Sequence, residues 1–194
     1  MAEVVLFHSA LGLRPGVKAA ADRLGAAGHT VHTPDYYDGD VFDDLDEGLG
    51  KRDEIGYSEI FRRTRRSVAG LPAGLVYAGF SLGAMPAELL AASRPGALGA
   101  VLMHSAIPSE ELGVESWPAG VPVQVHYAAG DPWVEVEEVE GLADDVRRAG
   151  AVFEEHTYPG SDHQFADPDL PGYDQASSGR MWRRVLAFLD QVGA

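Results

Sequence analysis

Short apolar runs alternate with stretches of helical spacing along the whole chain. "EVVLFH" (3–8) is the first run, near-continuously apolar, as a strand covered on both faces requires. "RPGVKAAADRLGAAGH" (14–29) sets Val17, Ala20, Ala21 and Leu24 at helical spacing, and Gly28 can end it. "TVHTP" (30–34) is a short strand stopped by Pro34. After a long polar loop the spacing predicts a helix over 53–71, a strand at "GLVYAGF" (74–80) and a helix at "LGAMPAELLAAS" (82–93). Pro86 removes a hydrogen bond from that helix and predicts a kink. Strands at 97–104, 121–128 and 151–158 alternate with a helix at 136–150, and an amphipathic helix at 179–192 closes the chain. Parallel strands need crossovers, and helices supply them on both faces. The pattern therefore predicts an α/β fold with a doubly wound, mostly parallel sheet. In such sheets ligands bind beyond the carboxyl ends of the strands, so the residues just after each strand carry the functional information.

The chain has 194 residues, and neither a repeat nor a linker divides it, so one domain over 1–194 is expected. A formal net charge of −15 repels phosphate backbones and argues against nucleic acid as a partner. With no cysteine, disulfides and thiolate chemistry are excluded. "MAEVVLFHSALG" lacks a basic n-region, and no apolar stretch approaches the ~18 residues needed to span a bilayer. A cytoplasmic protein without membrane contact is expected. "DYYDGDVFDDLDEG" (35–48) holds seven carboxylates without the spacing of a calcium loop and reads as a solvated surface loop or lid. "RRTRR" (62–66) reads as a solvated helix face that can pair with it.

"VYAGFSLGAMP" (76–86) contains the chemistry. Gly79-Phe80-Ser81-Leu82-Gly83 fits G-x-S-x-G between a predicted strand and a predicted helix. So sharp a turn strains the serine backbone and admits only glycine two places either side. The strain lifts the hydroxyl clear of the sheet, at a helix N-terminus that favours developing negative charge. A serine hydroxyl still needs a base. "VPVQVHYAAGDPWV" ends a strand and presents Asp131; "AVFEEHTYPGSDHQFADP" ends the next and presents His163. Ser81, Asp131 and His163 follow the serine–acid–histidine order of α/β-hydrolases. Asp162, next to His163 in sequence, is a poor rival acid because adjacent side chains rarely face each other.

With these residues in view the chain resembles the dienelactone hydrolase family of α/β-hydrolases over nearly its full length. "VVLFHSALGLRPGV", "TPDYYDG", "GFSLG", "AAGDPWV" and "YPGSDHQFAD" carry the resemblance. It implies an α/β-hydrolase fold without a large cap domain, Ser81 as nucleophile, His163 as general base and Asp131 orienting the imidazole. It also implies an oxyanion hole from the backbone N–H groups of Leu82 and Ala10, with Leu11 as the alternative one residue on. Family members carry a cysteine where this chain has Ser81 and a first-loop glutamate where it has Ser9. The two changes agree: a thiol with a carboxylate switch gives way to a hydroxyl with a conventional base. A small carboxylic ester or lactone is the expected substrate, with no cofactor and no metal.

Phe80, Tyr36 and Trp133 are candidates to line an apolar substrate pocket, and His8 and His104, at predicted strand ends, to lie near the site as structural partners or substrate contacts. Three rival readings use the same residues. A metal-dependent hydrolase would use His8, His104, Asp131 and His163 but leaves the elbow unexplained. A non-catalytic binding protein would keep the pocket without turnover. A thioesterase or acyltransferase would use the same triad. Nothing in the sequence sets an oligomeric state.

Overall fold

A computed structural model describes residues 1–193. Six strands form one sheet in the order β2-β1-β3-β4-β5-β6, and every pairing is parallel. They are β1 (Glu3–Phe7), β2 (Thr30–His32), β3 (Leu75–Phe80), β4 (Gly99–Met103), β5 (Val123–Ala128) and β6 (Phe153–Tyr158). The helices are α1 (Pro15–Ala26), α2 (Leu45–Ile55), α3 (Tyr57–Ser67), α4 (Ala84–Ser93), α5 (Val136–Arg148) and α6 (Gln175–Val192). This is the doubly wound α/β arrangement that the alternating pattern predicts.

Strand alternation sorts the core into two layers. Val5, Phe7, Leu75, Tyr77, Ala100 and Leu102 face the side covered by α3, α4 and α5. Val4, Leu6, Val76, Ala78, Phe80 and Val101 face the side covered by α1 and α6. α6 buries Met181, Trp182, Val185, Phe188 and Leu189 along one stripe, each large side chain contributing about 1.5–3 kcal/mol. Asp174 caps this helix, accepting the N–H groups of Ala176 and Ser177. Among the described residues no helix is long and apolar enough to cross a membrane.

The chain runs from β1 outward to β2, then returns to place β3 on the other flank of β1. The order of winding reverses between β1 and β3, so the loops after these two strands open on one crevice. Ala10 lies in the first of them and Ser81 in the second.

Three expectations need correction. The helix expected over 53–71 is two helices, α2 and α3, broken at Gly56 with φ of 79°. α2 begins inside the segment read as a surface loop, where Asp44 caps it by accepting the Glu47 N–H at 3.1 Å. Pro86 is the third residue of α4, where no ladder bond is owed, and so it calls for no kink.

Burial pushes the Glu88 carboxyl well above the usual carboxylate range, and α4 holds it fully inside the fold. It accepts the Ile107 N–H at 3.3 Å and so ties α4 to the segment after β4.

Candidate active site

The turn after β3 is as tight as its glycines imply. Ser81 opens a single 3₁₀ turn, Ser81–Gly83, that leads straight into α4. Its φ of 51° is one of three positive values at non-glycine residues among those described. A Cβ on Gly79 would stand 2.0 Å from the Gly83 carbonyl oxygen. One on Gly83 would stand 2.3 Å from the His8 carbonyl oxygen. Only glycine lets the turn close on itself and on the end of β1.

Ser81, His163 and Asp131 come together from three separate strand ends. Ser81 Oγ lies 2.7 Å from His163 Nε2. His163 Nδ1 lies 2.8 Å from Asp131 Oδ2 and 3.1 Å from Oδ1. An ionised carboxylate only accepts, so Nδ1 carries the imidazole proton and Nε2 is free to accept from the serine hydroxyl. The Asp131 side chain is wholly buried and that of His163 nearly so. Oδ1 also accepts the Trp133 N–H at 3.0 Å, which locks the carboxylate at the turn after β5.

The loop after β1 supplies a second donor. Ser9 Oγ accepts the Leu11 N–H at 3.2 Å, so that donor is committed and the N–H of Ala10 is the one left for a ligand. The N–H of Leu82, the second residue of the Ser81–Gly83 turn and so still outside any ladder, is the other.

The acidic segment braces this loop, a role its polar composition hid. Phe42 N–H donates to the Leu11 carbonyl at 3.0 Å. A Cβ on Gly48 would stand 2.3 Å from the Ala10 carbonyl oxygen, and Tyr37 Oη donates to the Gly48 carbonyl at 3.2 Å. The carboxylates point outward and find partners: Asp38 takes Arg63 at 2.6 Å, Asp40 takes Lys51 at 2.8 Å and Asp43 takes Arg14 at 2.6 Å. The arginine-rich helix thus pairs with the acidic segment, as its charge suggested. Gly48→Ala is expected to destabilise the protein by about 1–3 kcal/mol through overpacking. At an unobstructed helix position the same change gains about 0.5–1 kcal/mol, so the sign seen in urea unfolding decides whether the contact exists.

His8 belongs to the same brace. Its ring stacks on Tyr36 with centroids 3.7 Å apart, and Nδ1 donates to the Ser9 carbonyl at 2.7 Å. The Tyr36 hydroxyl donates back to the His8 carbonyl. The His8 ring beside Asp35, with the N–H groups of Tyr37 and Gly39, holds that carboxyl down at about 2.

Several residues expected at a substrate pocket lie elsewhere. Phe80 falls on the α1/α6 face of β3, 6% exposed, edge-on to Trp182 and stacked on His104. Tyr36 is 1% exposed, with its ring and hydroxyl both spent on His8. His104 is fully buried but stays beside the site, its ring packed on Phe80 and Phe165 and 5.9 Å from that of His163, and burial drives it well below the ordinary histidine range. Trp133 does stand at the opening, 51% exposed, with its ring 5.9 Å from that of His163. Leu11 lines a cleft beside His163. Among the described residues no three His, Asp or Glu side chains converge as metal ligands, so His8, His104, Asp131 and His163 do not form such a group.

A parallel sheet with nucleophile-type serine, acid and histidine at its carboxyl edge defines the α/β-hydrolase fold. Solved structures share it. A putative dienelactone hydrolase from Klebsiella pneumoniae matches with a TM-score of 0.78 at 24% identity, over 97% of this chain and 86% of that one. An esterase from Thermogutta terrifontis matches with a TM-score of 0.71 at 17% identity, over 99% of this chain and 84% of that one. The model of the dienelactone hydrolase family matches residues 1–193, and the chain belongs to that family. A putative carboxymethylenebutenolidase of Salmonella typhi is 29% identical over 126 residues, 61% of this chain and 47% of that protein. The chain thus aligns with about half the length of the curated relatives it matches.

Proposed function

We propose that this protein is a serine hydrolase that cleaves small carboxylic esters or lactones through an acyl-enzyme on Ser81. The observation that carries the reading is the continuous chain from Ser81 Oγ through His163 to Asp131, at 2.7 and 2.8 Å, on a serine held at positive φ. Family membership and relatives described as carboxymethylenebutenolidases and as an esterase favour an ester or lactone carbonyl as the target.

Ser81 Oγ attacks the carbonyl carbon as its proton passes to His163 Nε2. Asp131 keeps the ring oriented and stabilises the imidazolium that forms. The N–H groups of Ala10 and Leu82 receive the developing oxyanion, each worth roughly 10²–10³ in rate. His163 then protonates the leaving alkoxide oxygen as its bond to the carbonyl carbon breaks. Water, deprotonated by the same nitrogen, repeats the sequence on the acyl-enzyme and frees the acid. Trp133 shields the outer side of His163 and contacts the substrate.

Intact mass after treatment with a fluorophosphonate tests the reading. A single adduct is expected on the wild-type chain, and none on Ser81→Ala or His163→Ala. Folded wild-type protein that takes no adduct would overturn it.

A further inference from the structure

We propose that the cleft beside His163 receives the alcohol portion of the ester and accepts uncharged or cationic groups while rejecting carboxylates. This rests on the ester-hydrolase reading above. A cleft of about 320 Å³ opens between Leu11 and Leu45 on one side and His163, Leu170 and Pro171 on the other. That volume lies at the small end of ligand pockets and suits a group of a few carbons. Its walls come from the histidine's own loop, the loop after β1 and the start of α2, not from the turn after β3. The leaving oxygen must lie within reach of His163 Nε2 to be protonated, so the group attached to that oxygen falls on this side.

The charged groups at the rim are of one sign. Asp162 and Asp43 line the cleft, and neither lysine nor arginine does. The Asp162 carboxyl lies against Gly172, where a Cβ would stand 2.5 Å from Oδ1. The cations on this flank are already engaged: Arg14 with Asp43 and the Phe42 carbonyl, Lys51 with Asp40 and Glu54. A carboxylate entering the cleft would lose water against leucine side chains, gain no counter-charge and face Asp162. A neutral group meets only the apolar walls, and an ammonium gains the carboxylate. The chain's net charge of −15 adds to the same bias at longer range.

The test compares three butyrate esters of similar size: that of choline, that of its uncharged isostere 3,3-dimethylbutanol, and one whose alcohol ends in a carboxylate. The choline and neutral esters are expected to exceed the anionic one in kcat/KM by about fivefold or more at low salt, the gap narrowing as salt screens it. Asp162→Asn should raise the ratio of anionic to neutral turnover several-fold, a ratio that is independent of how much protein is folded. Equal turnover of the anionic and neutral esters, or a ratio unmoved by Asp162→Asn, would overturn the inference while leaving the hydrolase reading intact. If none of the three is cleaved and no fluorophosphonate adduct forms, the hydrolase reading fails and the inference with it.

Discussion

Ester hydrolysis is expected to fall by about 10⁴–10⁶-fold in the Ser81→Ala protein, measured as kcat/KM on a neutral ester. The size follows from what remains. Ala10 and Leu82 still offer their N–H groups, and His163 stays on Asp131 at 2.8 Å. Water held by that imidazole is then the only nucleophile, without the proximity that a fixed Oγ provides. The backbone makes a second, separable forecast. Ser81 sits at φ 51°, a region that costs side-chain-bearing residues about 1–2 kcal/mol. Both Ser81→Ala and Ser81→Gly lose the bond to His163, but only glycine releases the strain. Ser81→Gly should therefore be the more stable of the two by about 1 kcal/mol in thermal or urea unfolding, the reverse of the usual order. An equally inactive pair with the usual order would mean that the elbow holds no strain. An active Ser81→Ala would remove the serine from the mechanism.

Much of the fold was legible because buried parallel strands leave so little choice. Runs such as Leu75–Phe80, apolar on both faces, have one reading when helical spacings flank them. Ser81, Asp131 and His163, which the fold brings together, were legible for a related reason: they follow the carboxyl ends of β3, β5 and β6 by one, three and five residues. The failures all involve contacts that no local pattern records. α2 carries two glycines and a weak apolar stripe, since its task is to bring Gly48 against the Ala10 carbonyl, 38 residues away in the chain. Phe80 neighbours Ser81 in sequence, but strand alternation sends it into the layer under α1 and α6. His104, by contrast, was placed near the site by its strand end, and its ring does lie 5.9 Å from that of His163, wholly buried. Nor does any local pattern record that the Leu11 N–H is taken up by Ser9 Oγ while that of Ala10 is not.

Asp131→Asn should reduce kcat by about 10⁴-fold with little change in KM, and the reason lies in where each carboxylate oxygen is engaged. Oδ1 accepts the Trp133 N–H at 3.0 Å, while Oδ2 makes the shorter contact with His163 Nδ1 at 2.8 Å. An asparagine keeps its oxygen on the Trp133 donor, which turns its NH₂ toward Nδ1. Nδ1 must then be the bare nitrogen, so the proton moves to Nε2, the atom that has to accept from Ser81. The ring stays in place with the wrong tautomer. The amide also cannot stabilise the imidazolium that forms as Oγ attacks. Two measurements separate this account from simple loss of packing. The downfield Nδ1–H resonance of the wild-type imidazole should vanish in the variant, and its thermal stability should change far less than its activity. Fluorophosphonate labelling should slow in parallel with hydrolysis, since both need the deprotonated Oγ. A variant that kept more than about a tenth of the wild-type kcat would show that Asp131 does not set the tautomer, and Trp133 would then stand as the remaining support of the histidine's orientation.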